Sequence, residues 1–475
     1  MQAAITRLVT RSVDLREGEG AALGWSFAYY FLLLCSYYIL RPIRDEMGIA
    51  GGVDNLAWLF TGTLVGMLLI HPVFTSLVKS LPRKRFVPLT YRFFIANLVI
   101  FFALFQVVPI EDSVWIGRIF FIWVSIFNLF VISVFWSFMT DIYRSAQSKR
   151  LFGMLAVGGT VGAMTGSGIT SALVQALGPV NLLLISALML EAAARVSGAL
   201  EKAEQALALA ALRDEQEDTD KVQLQVNQFA GEPAPTVGLT AEETADSTAR
   251  QERVRQQVAD KQQEVIGGGV LDGVRDVLRS PYLLGIALLM LLFTVTSTYL
   301  YFMQLDVVSG ASEDSRVRTQ LLANIDLIVN IITLITQLFL TGRILRWLGV
   351  GLSLAFLPLL SLIGFGLVGM APALAVVLVF QIVRRAGNFA IQRPSREVLY
   401  TVLPRTEKYK AKNFNDTFVY RVGDQVGAWS YTLMGSLGLG VSSLALTMVP
   451  VSAVWLLLAL WLGVKYRAYN SRQES

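Results

Sequence analysis

Arg384 and Arg385 interrupt an aliphatic run that begins at Ala373. Paired guanidinium groups in such surroundings have one strong chemistry, the forked recognition of carboxylate or phosphate oxygens. On a helix, Gln381, Arg385, Asn388, Gln392 and Arg396 recur at intervals of four, three, four and four and form one polar stripe, placing amide donors beside the guanidinium. Arg384 lies about 100° off that stripe, toward a neighbouring helix. A second stripe holds Asn413, Thr417, Arg421 and Gln425, with Asp424 three residues after Arg421. That pair can neutralise itself on adjacent turns, or open to take substrate or a proton. Tyr30, Tyr37, Arg41 and Arg44 share a face further upstream, followed by Asp45 and Glu46, and make either a self-neutralised helix end or an electropositive mouth or site wall assembled with the tenth and eleventh spans. Asp326 is a lone acid one turn before Asn330, suited to an arginine partner or to proton exchange. The candidate anion-binding set is therefore Arg41, Arg44, Arg385, Asn388, Gln392 and Arg421. Asp45, Asp326 and Asp424 are the candidates for coupling or gating. The alternative for these arginines is a structural one, as ion-pair partners holding the molecule together.

What positions these groups is apolar. Of 475 residues, 54% are hydrophobic and 16% charged, against about 45–50% and about 25% in soluble domains. The chain is an all-α membrane protein on this evidence. Apolar runs occur at Ala22 to Leu40, 56–78, 87–108, 113–140, 151–177 and 180–200, and again at 282–303, 319–345, 350–370, 372–402, 413–437 and 441–464. A charge at a span's centre costs about 2.5–3.5 kcal/mol, so Arg384 and Arg385 must face protein or water. One cysteine and one histidine exclude a disulfide framework and leave no cluster for zinc or haem, so no metal or cofactor is expected. The net charge of +5 belongs to topology rather than to nucleic acid. Basic residues concentrate in alternate connections, such as Arg83, Lys84 and Arg85, then Arg144, Lys149 and Arg150, then Lys408, Lys410 and Lys412. The positive-inside rule makes these connections and both termini cytoplasmic.

Residues 1–20 form an amphipathic segment with Ile5, Leu8, Val9 and Val13 and no small-residue cleavage site. Two six-helix bundles, 21–200 and 271–467, flank a polar linker at 201–270, and 468–475 is a tail. The bundles repeat each other: Lys149-Arg150-Leu151-Phe152 leads into Gly158, Gly162 and Gly166, while Lys412-Asn413-Phe414 leads into Gly423 and Gly427. Such four-residue ridges let helices approach closely. Twelve spans in two pseudo-symmetric halves around a cavity resemble the major facilitator superfamily, although Leu77 to Phe86 lacks the aspartate of that family's usual loop motif. Asn128, Trp136, Tyr299, Tyr301 and Gln304 could stack on or hydrogen-bond a ring, or simply pack, and His71 before Pro72 reads as structural.

Three stretches carry a narrower likeness: Tyr38-Ile39-Leu40-Arg41-Pro42-Ile43-Arg44-Asp45, Phe135-Trp136-Ser137-Phe138 ahead of Lys149-Arg150-Leu151-Phe152-Gly153, and Tyr420-Arg421-Val422-Gly423. They resemble the nucleotide transporter family of plastids and intracellular bacteria, in particular the ATP:ADP antiporter-like members of ordinary bacteria. The resemblance implies a major-facilitator-like fold, nucleotide binding, and exchange of ATP for ADP or nucleotide import. It also implies an anion contact for Arg44, which stands where those carriers have a basic residue, whereas Asp424 stands where they have another.

The expected function is secondary active transport of an organic anion, nucleotide or otherwise phosphate-bearing, across the bacterial inner membrane by a monomer. No G-x-x-x-x-G-K-[ST] phosphate loop is present to supply an ATP motor. Two other classes fit the same residues: a lipid flippase or proton-coupled exporter using Asp326 and Asp424, and a non-transporting receptor or scaffold. An enzyme does not, because no nucleophile, base and orienting group assemble from these motifs.

Overall fold

A computed structural model describes residues 19–80, 83–108, 114–143, 145–203, 277–404, 411–412 and 414–474. The amphipathic segment before Glu19 and nearly all of the linker lie outside the described residues, as does the side chain of His71.

Twelve membrane-length helical elements follow one another: α1 (Glu19–Ala50), α2 (Leu56–Ser80), α3 (Arg83–Val107), α4 (Val114–Ile142), α5 (Ser145–Leu177) and α6 (Pro179–Ala203), then α7 (Pro281–Ser309), α8 (Ser315–Phe339), α9 (Thr341–Met370), α10 (Leu374–Leu399), α11 (Asn415–Val419 as π-helix, Tyr420–Ser436 as α-helix) and α12 (Val441–Glu474). Eleven are long and apolar enough to cross a membrane. The exception, the α-helical part of α11, has 17 residues and gains its length from the π turn before it. Local signals fix several ends. Ser280 caps α7 by accepting from the Leu283 N–H, with Pro281 preset in the first turn, and Asp314 caps α8 from the Arg316 N–H at 2.8 Å.

Three boundaries depart from the apolar runs. α1 continues through Pro42 to Ala50, ten residues beyond Leu40, so Arg41 and Arg44 lie within the transmembrane helix rather than at its end. α8 stops at Phe339. Arg343 and Arg346 lie in the first turns of α9, ahead of a break at Gly349, whose φ of 69° suits a residue without Cβ.

Glycine ridges set the helix pairs that make each half. A Cβ on Gly162 would sit 2.2 Å from the Phe31 carbonyl oxygen and one on Gly166 only 2.4 Å from that of Cys35, so α5 rests directly on the α1 backbone. Gly423 and Gly427 bring α11 onto α7 at Thr294 and Thr298 in the same manner. One buried cluster runs through α1–α6 and another through the second half. A third joins Ile49, Leu56, Leu59 and Phe121 to Tyr299, Phe302, Val308 and Phe365, so the halves share a core at one end.

Polar clasps reinforce that end. Arg318 of α8 holds Glu46 of α1 through Nη2 at 2.5 Å and Nε at 2.9 Å. Tyr301 of α7 donates to Asp45 Oδ1 at 2.7 Å. Along the α5–α8 seam, Gln320 donates to the Ser171 carbonyl at 2.9 Å and Arg316 to that of Gln175 at 3.1 Å. Across the α2–α11 seam, Thr61 donates to Gln425 at 2.9 Å and accepts from the Trp429 indole at 3.1 Å. This is the clasped end, and a cavity lies behind it.

Candidate functional site

The cavity has a volume of about 340 Å³ and lies between the halves. Its wall carries five arginines: Arg41 and Arg44 from α1, Arg384 and Arg385 from α10, and Arg421 from α11. Ser125 and Asn128 of α4 and Ser297 and Thr298 of α7 add neutral polar groups, as do Thr63, Tyr301 and Tyr420, and Gln381, Asn388, Asp424 and Gln425 lie among them. The stripe on α10 thus reaches the cavity as its spacing predicts, as far as Asn388.

Beyond Asn388 the stripe fails. Asn388–Gln392 is a π turn, with more residues per turn than an α-helix, so positions after it rotate away from the face predicted by a 3.6 repeat. Gln392 is buried away from the lining and its Oε1 has no partner. Arg396 instead pairs with Asp416 at 3.6 Å. A second π turn, Asn415–Val419, similarly separates Arg421 and Gln425 from the start of their stripe, where Asn413 and the Thr417 side chain lie outside what is described.

Most of the arginines are partnered. Arg385 Nη1 lies 2.7 Å and Arg41 Nη1 3.2 Å from the same oxygen, Asp326 Oδ1. Asp326 therefore ties α1 to α10 from its place on α8, and the Arg385 Nη2 remains buried without a partner. Arg44 binds Asp45 at 2.5 Å under the Tyr301 hydroxyl. Arg421 meets Asp424 at 3.4 Å, and Asp424 also accepts from Thr298 at 3.5 Å. Asp45 and Glu46 do not form a joint counter-charge for α1: Asp45 takes Arg44, and Glu46 crosses to Arg318.

Arg384, placed by the sequence off the polar stripe, does bond to neighbouring helices. Its Nε donates to Ser361 at 3.0 Å, Nη1 to Ser297 at 2.9 Å, and Nη2 to Thr296 at 2.7 Å and the Phe293 carbonyl at 3.4 Å. It is 3% exposed, and its guanidinium carbon lies 5.6 Å from the Phe293 ring centroid and 5.9 Å from that of Trp455. No carboxylate contacts it among the described residues. Sequence reading missed its membership of the cavity, and only its adjacency to Arg385 could have pointed there.

Five guanidiniums in the wall thus face three carboxylates, Asp45, Asp326 and Asp424, which leaves a surplus of two positive charges. In a low-dielectric site such charge attracts anions far more strongly than it would in water. The residues proposed for ring recognition are dispersed. Tyr301 lines the cavity with its hydroxyl committed to Asp45 in the clasp, and Tyr299 donates to Ser430 at 3.0 Å. Trp136 packs on Tyr30 and Phe152, and Gln304 is buried with Oε1 unpartnered. Asn128 does line the cavity, with a buried, unpartnered Oδ1.

Comparison with known proteins agrees with this architecture. The chain is similar over 94% of its length to an auto-inhibited POT family peptide transporter, of which it covers 96%, at 15% identity and a TM-score of 0.54. It is similar over 94% to a bacterial homologue of the iron transporter ferroportin in an inward-facing state, covering 98% of it at 12% identity and a TM-score of 0.58. A bacterial homologue of the human lysosomal transporter Spinster, inward-facing and unoccupied, matches over 96% of both chains at 12% identity and a TM-score of 0.50. Identities this low speak for the fold alone. No curated protein sequence matches the chain. The profile of the Major Facilitator Superfamily matches residues 22–405, and the chain belongs to that superfamily: it is a multi-pass membrane transporter, not an enzyme.

Proposed function

We propose that the chain is a secondary active transporter that moves an organic anion across the bacterial inner membrane by alternating access, with both termini cytoplasmic. The observation that carries this reading is the surplus of two positive charges in the cavity wall. Uncompensated guanidinium groups are costly within a bilayer and persist where they serve a water-filled path or a ligand. With the termini inside, the clasped end faces outward and the cavity is reached from the cytoplasm, in keeping with the basic connections on that side.

Arg385, Arg421, Arg44 and Arg41 are the anion contacts in this reading, with Asn388 orienting the cargo. Asp326 is the gate. It holds an arginine from each half, and its pair with Arg41 is the one that crosses between them, so an anion that takes over Arg41 leaves Asp326 with Arg385 inside the second half and loosens the tie. Phosphate-bearing organic anions, nucleotides foremost, are the leading class, supported by the stretch Tyr38 to Asp45 and by Tyr420-Arg421-Val422-Gly423. The test is uptake into proteoliposomes loaded and bathed with ADP, AMP, inorganic phosphate or succinate. Anion uptake is expected, with Arg385→Ala abolishing it at wild-type expression. Unchanged uptake would remove Arg385 from the site, and uptake restricted to neutral or cationic solutes would refute the function.

A further inference from the structure

We infer that Arg384 is a fixed-charge recognition residue of the cavity and that the cargo it selects carries two negative charges on one group, as a phosphomonoester does. This rests on the anion-transport reading above and names the residue and charge state within it.

Arg384 offers five N–H groups, and four are accounted for by Ser361, Ser297, Thr296 and the Phe293 carbonyl. The remaining one is on Nη1, the nitrogen that bonds Ser297, and Ser297 itself lines the cavity. The hydroxyl hydrogens of the α7 partners point elsewhere: Ser297 donates to the Phe293 carbonyl at 2.6 Å and Thr296 to that of Leu292 at 2.8 Å. Both hydroxyl oxygens are thereby fixed as acceptors toward the guanidinium. The shell holds the group in place without cancelling its charge.

The second surplus charge lies next to it in sequence. Arg385 and Arg41 share one carboxylate oxygen, and Arg385 Nη2 is buried with no partner. An anion seated against the α10 wall therefore meets one free N–H of Arg384 and one unpartnered nitrogen of Arg385. A dianion neutralises the surplus, whereas a monoanion leaves one positive charge behind in a low-dielectric wall.

A structural and a recognition role for Arg384 separate in one respect. An arginine kept for the fold stabilises it. One kept for recognition is held uncompensated at a cost, so its neutral replacement leaves the ligand-free protein as stable or makes it more stable.

The test uses the full chain in detergent micelles at low salt and pH 8, titrated with AMP and cyclic AMP, and with methyl phosphate and dimethyl phosphate. Each pair differs mainly in charge on phosphorus. Affinity is read by calorimetry and stability by thermal unfolding. Wild type is expected to bind the dianion of each pair at least about tenfold more tightly. Arg384→Gln should weaken dianion binding by about 10- to 100-fold and abolish the preference, with ligand-free stability equal or higher. Arg384→Lys should retain part of the preference. A preference preserved in Arg384→Gln, or a loss of ligand-free stability with binding intact, would overturn the inference while anion transport stands. Equal binding of monoanion and dianion by wild type would overturn the charge assignment. Binding of none of the four, together with no anion uptake by proteoliposomes, would overturn both this inference and the proposed function.

Discussion

Asp326→Asn should be far more damaging to the fold than removal of either arginine that Asp326 binds. Its Oδ1 lies 3.2 Å from Arg41 Nη1 and 2.7 Å from Arg385 Nη1, which limits the two nitrogens to a separation of roughly 6 Å. At an effective dielectric constant of about 20, two unit charges at that distance repel by about 3 kcal/mol. Asp326→Asn removes both attractions and leaves this repulsion, so the expected loss is at the upper end of the range for breaking a buried pair, about 3–5 kcal/mol. Arg385→Gln loses one charge-assisted hydrogen bond, about 1.5–3 kcal/mol, and relieves the repulsion, so its net effect should fall within about 1 kcal/mol of zero. The double variant Asp326→Asn with Arg385→Gln should recover about 2–4 kcal/mol relative to Asp326→Asn alone. Reversible unfolding in mixed micelles, followed by tryptophan fluorescence, measures all four corners of the cycle. The shared-carboxylate account is refuted if Asp326→Asn unfolds like wild type or if Arg385→Gln is as damaging as Asp326→Asn.

Other perturbations address the clasped end, the helix pairs and the half-buried Arg421–Asp424 pair. Glu46→Gln cuts the α1–α8 clasp at Arg318 and should raise labelling of an Asn388→Cys probe from the outer face severalfold in right-side-out vesicles; unchanged labelling would remove the clasp from gating. Gly162→Val should abolish folded protein, because its Cβ would meet the Phe31 carbonyl oxygen at 2.2 Å, whereas Gly168→Ala, with nothing within 4 Å, should express normally. Equal yields of the two would contradict the α1–α5 packing. Arg421 is 33% exposed and 3.4 Å from Asp424, so screening limits that pair to less than about 1 kcal/mol. Asp424→Asn should therefore change stability little and strengthen anion binding by freeing Arg421; weaker binding would place Asp424 on the side of the ligand.

Composition and span counting were enough to read the fold, since a bilayer admits few architectures for a chain this apolar. The four-residue glycine spacing marked α5 and α11 as closely approached helices because a missing Cβ is itself a packing instruction, but that α1 and α7 are the partners is visible only in the structure. The site was legible only in part. Gln381, Arg385 and Asn388 followed the helical repeat onto the cavity, but Gln392 did not, because a π turn leaves no residue signature that a 3.6 period can detect. The end of α1 was legible only as a choice between a self-neutralised terminus and a site wall, because the partners of Arg41, Asp45 and Glu46 lie on α7 and α8. Charges compensated across the two halves are invisible one helix at a time. Arg384 was undervalued because its neutral partners are spread over α7 and α9.

The most direct test of the account is equilibrium binding by the wild-type protein across charge classes: ADP, inorganic phosphate and succinate against adenosine, glucose and spermidine, at 20 and 300 mM salt. A surplus of two positive charges in the cavity predicts saturable binding of anions that weakens as salt rises, with no comparable binding of the neutral or cationic compounds. Tight binding confined to adenosine, glucose or spermidine would contradict it.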